Sequence, residues 1–311
     1  MNAFDLSRLR PRLPSPLEPV EDERFTRRDL RLLLKRDDLI HPDLPGNKWR
    51  KLALNLREAD GRPVLTFGGA YSNHLRATAA AGRLLGFDTI GVVRGDELAG
   101  RPLNPSLARC AADGMRLVFV DRSTYRAKTD PTVLARVLAL AAEAPGAAGA
   151  AVGTAADAPY VVPEGGSNAL AVEGCVELGR ELRGAADVVA VACGTGGTLA
   201  GLAAGLGPGQ KALGVPVLKG GFLGDEVRAL QRAAFGGPRG DWSLDERFHG
   251  GGYARTTPVL DAFARDFEER HGLAVERLYV AKMLHGLVVL AEEGAFAPGT
   301  TVAAVVTGSP S

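Results

Sequence analysis

Short apolar runs alternate with stretches of helical period along most of this chain, and the junctions between them are repeatedly rich in glycine. That alternation constrains the fold more than any other feature. A strand followed by a helix returns to pair in parallel and builds a sheet with crossover helices. Strands are expected over 64–67, 89–93 and 117–120, each feeding a helix, over 72–85, 105–113 and 131–144. Before them, residues 30–35 make an apolar run that delivers Arg36, Asp37 and Asp38 to its carboxyl end, and Pro45-Gly46 marks a turn. From Asn47 the apolar Trp49, Leu52, Ala53 and Leu56 fall at i, i+3, i+4 and i+7. A helix therefore starts there and ends near Gly61, with Lys48 in its first turn. Further strands are expected over 160–162, 188–193 and 302–306, with helices running to Leu182 and Leu206 and covering 226–234, 258–271 and 282–293.

The 311 residues exceed one typical domain of about 100–200 residues, which favours two. Residues 144–159 are almost wholly Ala, Gly, Pro and Asp, as in a linker or surface loop between two substructures. Lys and Arg (37) nearly balance Asp and Glu (36), so no broad field draws the chain to nucleic acid or to an anionic membrane, and a small-molecule partner is expected. The three cysteines, Cys110, Cys175 and Cys193, do not make a disulfide framework, and no pair has zinc-knuckle or redox spacing. A reducing cytoplasmic setting fits them, and no metal site is expected. No uncharged apolar run approaches the ~20 residues of a membrane span, and residues 1–19 mix Arg, Asp and Pro, so neither insertion nor export is expected.

Three glycine-rich turns carry the chemistry. Cys193-Gly194-Thr195-Gly196-Gly197-Thr198 lies between an apolar run and a helix. Its glycines let the backbone turn tightly and aim free N–H groups, a helix dipole and two threonine hydroxyls at one anion, as a phosphate site needs. No Lys follows the last Gly as in a Walker loop, and the spacing is not that of a dinucleotide fingerprint. A close-packed strand-to-helix turn would account for the same residues. In Gly68-Gly69-Ala70-Tyr71-Ser72-Asn73-His74, helix capping explains one of Ser72 and Asn73. Ser, Asn and His in succession at a strand's carboxyl end, where α/β folds bind ligands, point to a site. Pro163-Glu164-Gly165-Gly166-Ser167-Asn168 taken alone is an ordinary loop and cap; the three turns together suggest a shared cleft rather than three independent loops, although common α/β grammar also produces such turns by chance. Among the lysines, Lys48 has its charge opposed to a helix macrodipole, so it ranks ahead of Lys35, Lys51, Lys128, Lys211, Lys219 and Lys282 as an uncharged or covalently bound amine.

Taken in order, these segments resemble the fold-type II pyridoxal-phosphate enzymes, and within them the 1-aminocyclopropane-1-carboxylate (ACC) deaminase and D-cysteine desulfhydrase family. The likeness runs through Pro14 to Glu18, Lys35 to Asp38, Gly46 to Leu52, Gly68 to His74, Pro163 to Asn168, Gly194 to Thr198, Gly252-Tyr253 and Tyr279 to Gly286, and ends at Thr307-Gly308. It implies two α/β domains with mainly parallel sheets and pyridoxal 5'-phosphate in the cleft between them. The large domain would take residues 1–55 and 151–311 and the small one 56–150, in a homodimer. Lys48 would be the cofactor's covalent anchor, Asn73 would meet its phenolic oxygen, and Thr195, Gly196, Gly197 and Thr198 would form its phosphate cup. Ser72 would lie beside the substrate carboxylate, with Asn73 and His74 in the substrate site. Tyr279 and Tyr253 would stack on the ring or handle protons, or else pack as core tyrosines.

Departures from the family pattern bear on substrate. Val280 stands where ACC deaminases carry Glu near the pyridine nitrogen, which leaves Thr307 as the contact for that nitrogen. His74 stands where those enzymes have Gln, and both departures lean toward the desulfhydrases. Tyr71 and Ala281 replace the usual Gln and Gly, and the chain stops at Ser311 where relatives continue. The resemblance thus implies a lyase that releases ammonia and a 2-oxo acid from a small amino acid, D-cysteine by preference. ACC ring opening to 2-oxobutyrate and ammonia is the alternative. Two other readings are a cofactor-binding protein with little turnover, and a protein that holds another phosphorylated ligand through the 195–198 turn without a covalent link.

Overall fold

The computed structural model describes residues 5–44, 46–143, 158–252 and 255–308. The linker expected over 144–159 lies almost wholly outside the described residues, and so does Tyr253. In chain order the first elements are β1 (Leu17–Val20), α1 (Glu23–Thr26), β2 (Arg31–Lys35), α2 (Lys48–Ala59), β3 (Val64–Gly68), α3 (Asn73–Leu85), β4 (Thr89–Arg94) and α4 (Pro105–Ala112). Then come β5 (Arg116–Val120), α5 (Arg122–Arg126), α6 (Pro131–Glu143), β6 (Tyr160–Val162), α7 (Ala169–Gly174), α8 (Val176–Glu181), β7 (Val188–Cys193) and α9 (Gly197–Gly205). The last are β8 (Lys211–Pro216), α10 (Leu223–Phe235), β9 (Asp241–Leu244), α11 (Pro258–His271), α12 (Val280–Glu292) and β10 (Thr301–Val305).

The described residues group into two units. One takes those of Met1–Arg10 and Leu52–Gly166, the other those of Pro11–Lys51 and Ser167–Ser311. The 167–311 unit is built on a six-stranded sheet in the order β1-β2-β10-β7-β8-β9, parallel except where β1 pairs antiparallel with β2. Alternate residues of its strands face opposite cores. Ala190, Ala192, Val302 and Ala304 pack with α11 and α12, whereas Val189, Val191, Ala303 and Val305 pack with α8, α9 and α10. Both faces are therefore covered, which is why these strands read as continuous apolar runs rather than alternating ones. Each such Val or Leu contributes roughly 1.5–3 kcal/mol by leaving water.

The 52–166 unit holds a four-stranded parallel sheet in the order β5-β4-β3-β6. Leu65, Phe67, Ile90 and Val92 pack against α5 and α6 on one face, and Val93 and Met115 pack with α3 and α4 on the other. The α/β architecture with mainly parallel sheets expected from the alternation is present in both units.

Some elements escaped the sequence pattern for identifiable reasons. Strand β1 carries Pro19, which an edge strand tolerates because it needs no donor on its open side. β8 opens with a lysine, closes with a proline and is broken by Gly214, which shortens its apolar run, and β9 is a four-residue edge strand containing a charge. The helix expected to run unbroken to Leu182 is interrupted at Cys175, which caps α7 and precedes α8.

Candidate active site

In the 167–311 unit, β7 ends at Cys193 and the chain turns through Gly194, Thr195 and Gly196 into α9. Gly196 takes φ +79°, where a side chain is strained, and a Cβ there would come within 2.8 Å of Val227 Cγ2. No side chain caps α9 among the described residues. A nine-residue apolar helix thus begins with its N–H groups offered outward, the arrangement that receives an anion.

Side chains around this turn complete a cup. Lys51 Nζ donates to Ser167 Oγ at 2.8 Å and to Thr195 Oγ1 at 3.3 Å, and the Ser167 and Thr195 hydroxyls are hydrogen-bonded to each other. Asn47 Nδ2 donates to Thr198 Oγ1 at 2.8 Å, while Lys48 Nζ donates to Asn47 Oδ1 at 2.9 Å. One amide therefore joins the Lys48 amine to the cup. The bend before it is forced, because Gly46 has φ +59° and a Cβ there would stand 1.5 Å from the Thr307 carbonyl oxygen. That same carbonyl accepts the Asn47 N–H at 3.2 Å, which places Thr307 against the Lys48 segment.

Electrostatics prepare both amines. Burial, and then the neighbouring Lys51 ammonium, push Lys48 down to about 7, against the countering fields of Cys175 and Glu276. Burial also pushes Lys51 down to about 8. Lys48 is thus available as a neutral nucleophile near neutral pH. Its helix turn is anchored by Arg50, whose guanidinium grips the Asp37 carboxylate with two bonds of 2.8 and 2.9 Å and reaches both Glu181 oxygens at 2.9 Å. Lys35 Nζ closes the buried quartet, 2.6 Å from Glu181 Oε2. Tyr279 lies over Gly194, its Cε1 and hydroxyl 3.3 Å from where a Cβ would stand. Val280, the first residue of α12, is 1% exposed and packs in the core.

The predicted residues of the 52–166 unit sit differently. Ser72 caps α3, accepting the Leu75 N–H at 3.3 Å, and Asn73 is the first helical residue. His74 is 2% exposed. Its Nε2 lies 2.7 Å from Thr66 Oγ1, and that hydroxyl donates to the Val162 carbonyl at 2.8 Å, so the ring nitrogen is the donor. The His74 imidazole ties α3 to the sheet.

The structure thus brings together Lys48, Thr195, Gly196, Gly197, Thr198, Tyr279 and Thr307 within one unit, and Ser72, Asn73 and His74 within the other. Asn47, Lys51 and Ser167 were not singled out as site residues from sequence. Lys51 could have been, since it follows Lys48 by one helical turn, and Ser167 belongs to a glycine-rich turn already noted. A poised amine, an amide bridge and an anion cup fit a ligand that carries both a carbonyl and a phosphate. Among the described residues, no group of His, Cys, Asp and Glu is arranged to hold a metal, and no helix is long and apolar enough to cross a membrane.

A family model described as pyridoxal-phosphate dependent enzyme matches residues 11–308. A D-cysteine desulfhydrase of Klebsiella pneumoniae is 30% identical over 300 residues, covering 88% of this chain and 85% of that protein. A bifunctional D-cysteine desulfhydrase/1-aminocyclopropane-1-carboxylate deaminase, mitochondrial, of Arabidopsis thaliana is 29% identical over 279 residues, 83% of this chain and 66% of the plant protein. The crystal structure of an ACC deaminase homologue superposes with a TM-score of 0.77 at 25% identity, over 99% of this chain and 95% of its own.

Proposed function

This chain belongs to the pyridoxal-phosphate-dependent enzyme family, and from that premise we propose that it is a lyase converting D-cysteine and water to pyruvate, ammonia and hydrogen sulfide. The observation that carries the reading is the half-buried Lys48 amine, brought down to about 7 and joined through Asn47 to an anion cup.

The cofactor, when bound, supplies an electron sink for charge developing at the substrate Cα. The protein supplies the rest. The open start of α9, with Thr195, Gly196, Gly197, Thr198 and Lys51, would hold the phosphate, and charge-assisted bonds of this type contribute about 1.5–3 kcal/mol each. Lys48 would hold the cofactor through its aldehyde and would supply the base for the Cα proton, its amine having been lowered to about 7 by burial. Asn47 fixes the direction of that amine. By the family resemblance, Thr307 would serve the ring nitrogen, Asn73 the phenolic oxygen, and Ser72 the substrate carboxylate. Tyr279, over Gly194, stands to pass a proton to the leaving sulfur. His74 shapes the substrate side through its hold on Thr66.

ACC ring opening to 2-oxobutyrate is the second reading, favoured by the names of relatives. Against it stands Val280, an apolar core residue where a carboxylate would serve the ring nitrogen. Incubation of the purified yellow protein with D-cysteine, L-cysteine, D-serine and ACC decides the matter. Sulfide and pyruvate from D-cysteine are expected; 2-oxobutyrate without sulfide overturns the preference. A cytoplasmic homodimer completes the proposal. Three buried free thiols suit a reducing compartment, and light scattering at micromolar concentration tests the dimer.

A further inference from the structure

Glu276 reaches forward from just before α12 and spends its carboxylate on the start of that helix. Oε1 accepts the Leu278 N–H at 2.8 Å, and Oε2 accepts those of Tyr279 at 2.7 Å and Val280 at 3.3 Å. Its own carbonyl accepts the Ala281 N–H at 2.9 Å. Tyr279 is itself the residue at the cap position, with φ −123° and ψ −66°, neither helix nor strand, and its side chain does not cap. The carboxylate accepts the N–H groups of Tyr279 and of both its neighbours, which fixes the chain on either side of the phenol.

We infer that Glu276 is a positioning residue for the reaction proposed above: it fixes Tyr279 across Gly194 at the rim of the anion cup. The inference rests on that reading. Helix capping alone would be met by a Ser, Thr or Asp at the cap position. Here the cap position is given to the tyrosine, and the acid acts from three residues upstream, which frees the phenol to lie on the turn after β7. The groups facing Lys48 are Lys51 on its own helix, the Cys175 thiol between α7 and α8, and Glu276. Lys282, on α12, also feels Glu276, and its Nζ donates to the Gly252 carbonyl at 2.9 Å.

The test compares Glu276→Gln, which keeps the length and loses the charge, with Glu276→Asp, which keeps the charge. In the full chain freed of cofactor, the pH midpoint of Lys48 acetylation is read by competitive labelling and peptide mass spectrometry. Losing a negative charge that favours the ammonium should lower the midpoint in Glu276→Gln, and Glu276→Asp should restore it. In the loaded enzyme, Glu276→Gln should lower kcat about tenfold with a smaller change in KM, because a displaced phenol harms the reacting geometry more than binding. A Lys48 midpoint and kcat equal to the parent's, with only a lower melting temperature, would reduce Glu276 to a cap and overturn the inference. If the parent itself releases no oxo acid, the reading of function fails, while the labelling result still decides Glu276.

Discussion

The turn after β7 and the turn after β3 obey one grammar, an apolar strand, glycines and a helix, yet they end in opposite states. After β3 the helix start is closed by its own residues, with Ser72 capping α3 and His74 locked on Thr66. After β7 the start of α9 has no side-chain cap among the described residues, and Lys51, Ser167, Thr195 and Thr198 gather around it. The first turn satisfies itself, and the second leaves donors for an anion to satisfy. Glycine at a strand end therefore says little about binding until one knows whether the helix start beyond it is already capped.

Perturbing each side should break or sharpen that contrast. The largest effect is expected from Lys48→Ala, which leaves the open turn intact but removes the amine it serves. Turnover should fall by at least ~10³-fold and the visible absorbance of bound cofactor should change. Unchanged spectrum and turnover would sink the site assignment.

Lys51→Ala should weaken cofactor binding about 10–100-fold, the loss of one charge-assisted bond, read from absorbance on titration with pyridoxal phosphate. Gly196→Ala, at φ +79° and against Val227, should destabilise the chain by about 1–3 kcal/mol and lower its melting temperature. At the closed turn, Ser72→Ala should cost about 1 kcal/mol through the lost cap, with little effect on cofactor affinity and a rise in the KM for amino acid. A loss of cofactor affinity matching that of Lys51→Ala would erase the distinction between the turns.

The pH dependence gives a further test. Cofactor uptake needs the neutral amine, so its rate should rise with pH and level off above about 7, not near the 10.5 of an ordinary lysine. Stability follows the same sign. Lys48 and Lys51 bind fewer protons folded than unfolded from about 7 and about 8 upward, so the cofactor-free chain should gain stability as pH rises through that range. Cys193, whose thiol burial pushes up to about 12, works the other way once unfolded thiols ionise near 9. A midpoint of denaturation measured from pH 6.5 to 8.5 checks the direction.

Much of the site was legible because glycine, a helix start and a lysine each leave a local mark. Lys48 was marked by its place in a first turn, and Thr195 to Thr198 by the glycines around them. Asn47, Lys51, Ser167 and Glu276 were not, because what they do depends on partners 116 to 151 residues away, as with Lys51 to Ser167 and Asn47 to Thr198, or on reaching a neighbouring helix start. His74 shows the converse. In sequence it stands beside Ser72 and Asn73 like a ligand contact, but a helix turns side chains i and i+2 apart, and this one is sent into the sheet.

Sequence by itself determined the parallel α/β layering, the place of Lys48 in the first turn of a helix and the glycine-rich turns at strand ends, since each follows from backbone preference over a few neighbouring residues. Only the tertiary structure decided which helix start stays open, which amines are pressed toward neutrality and which carboxylate holds Tyr279. Those outcomes depend on burial and on groups far apart along the chain, and neither is written in local spacing.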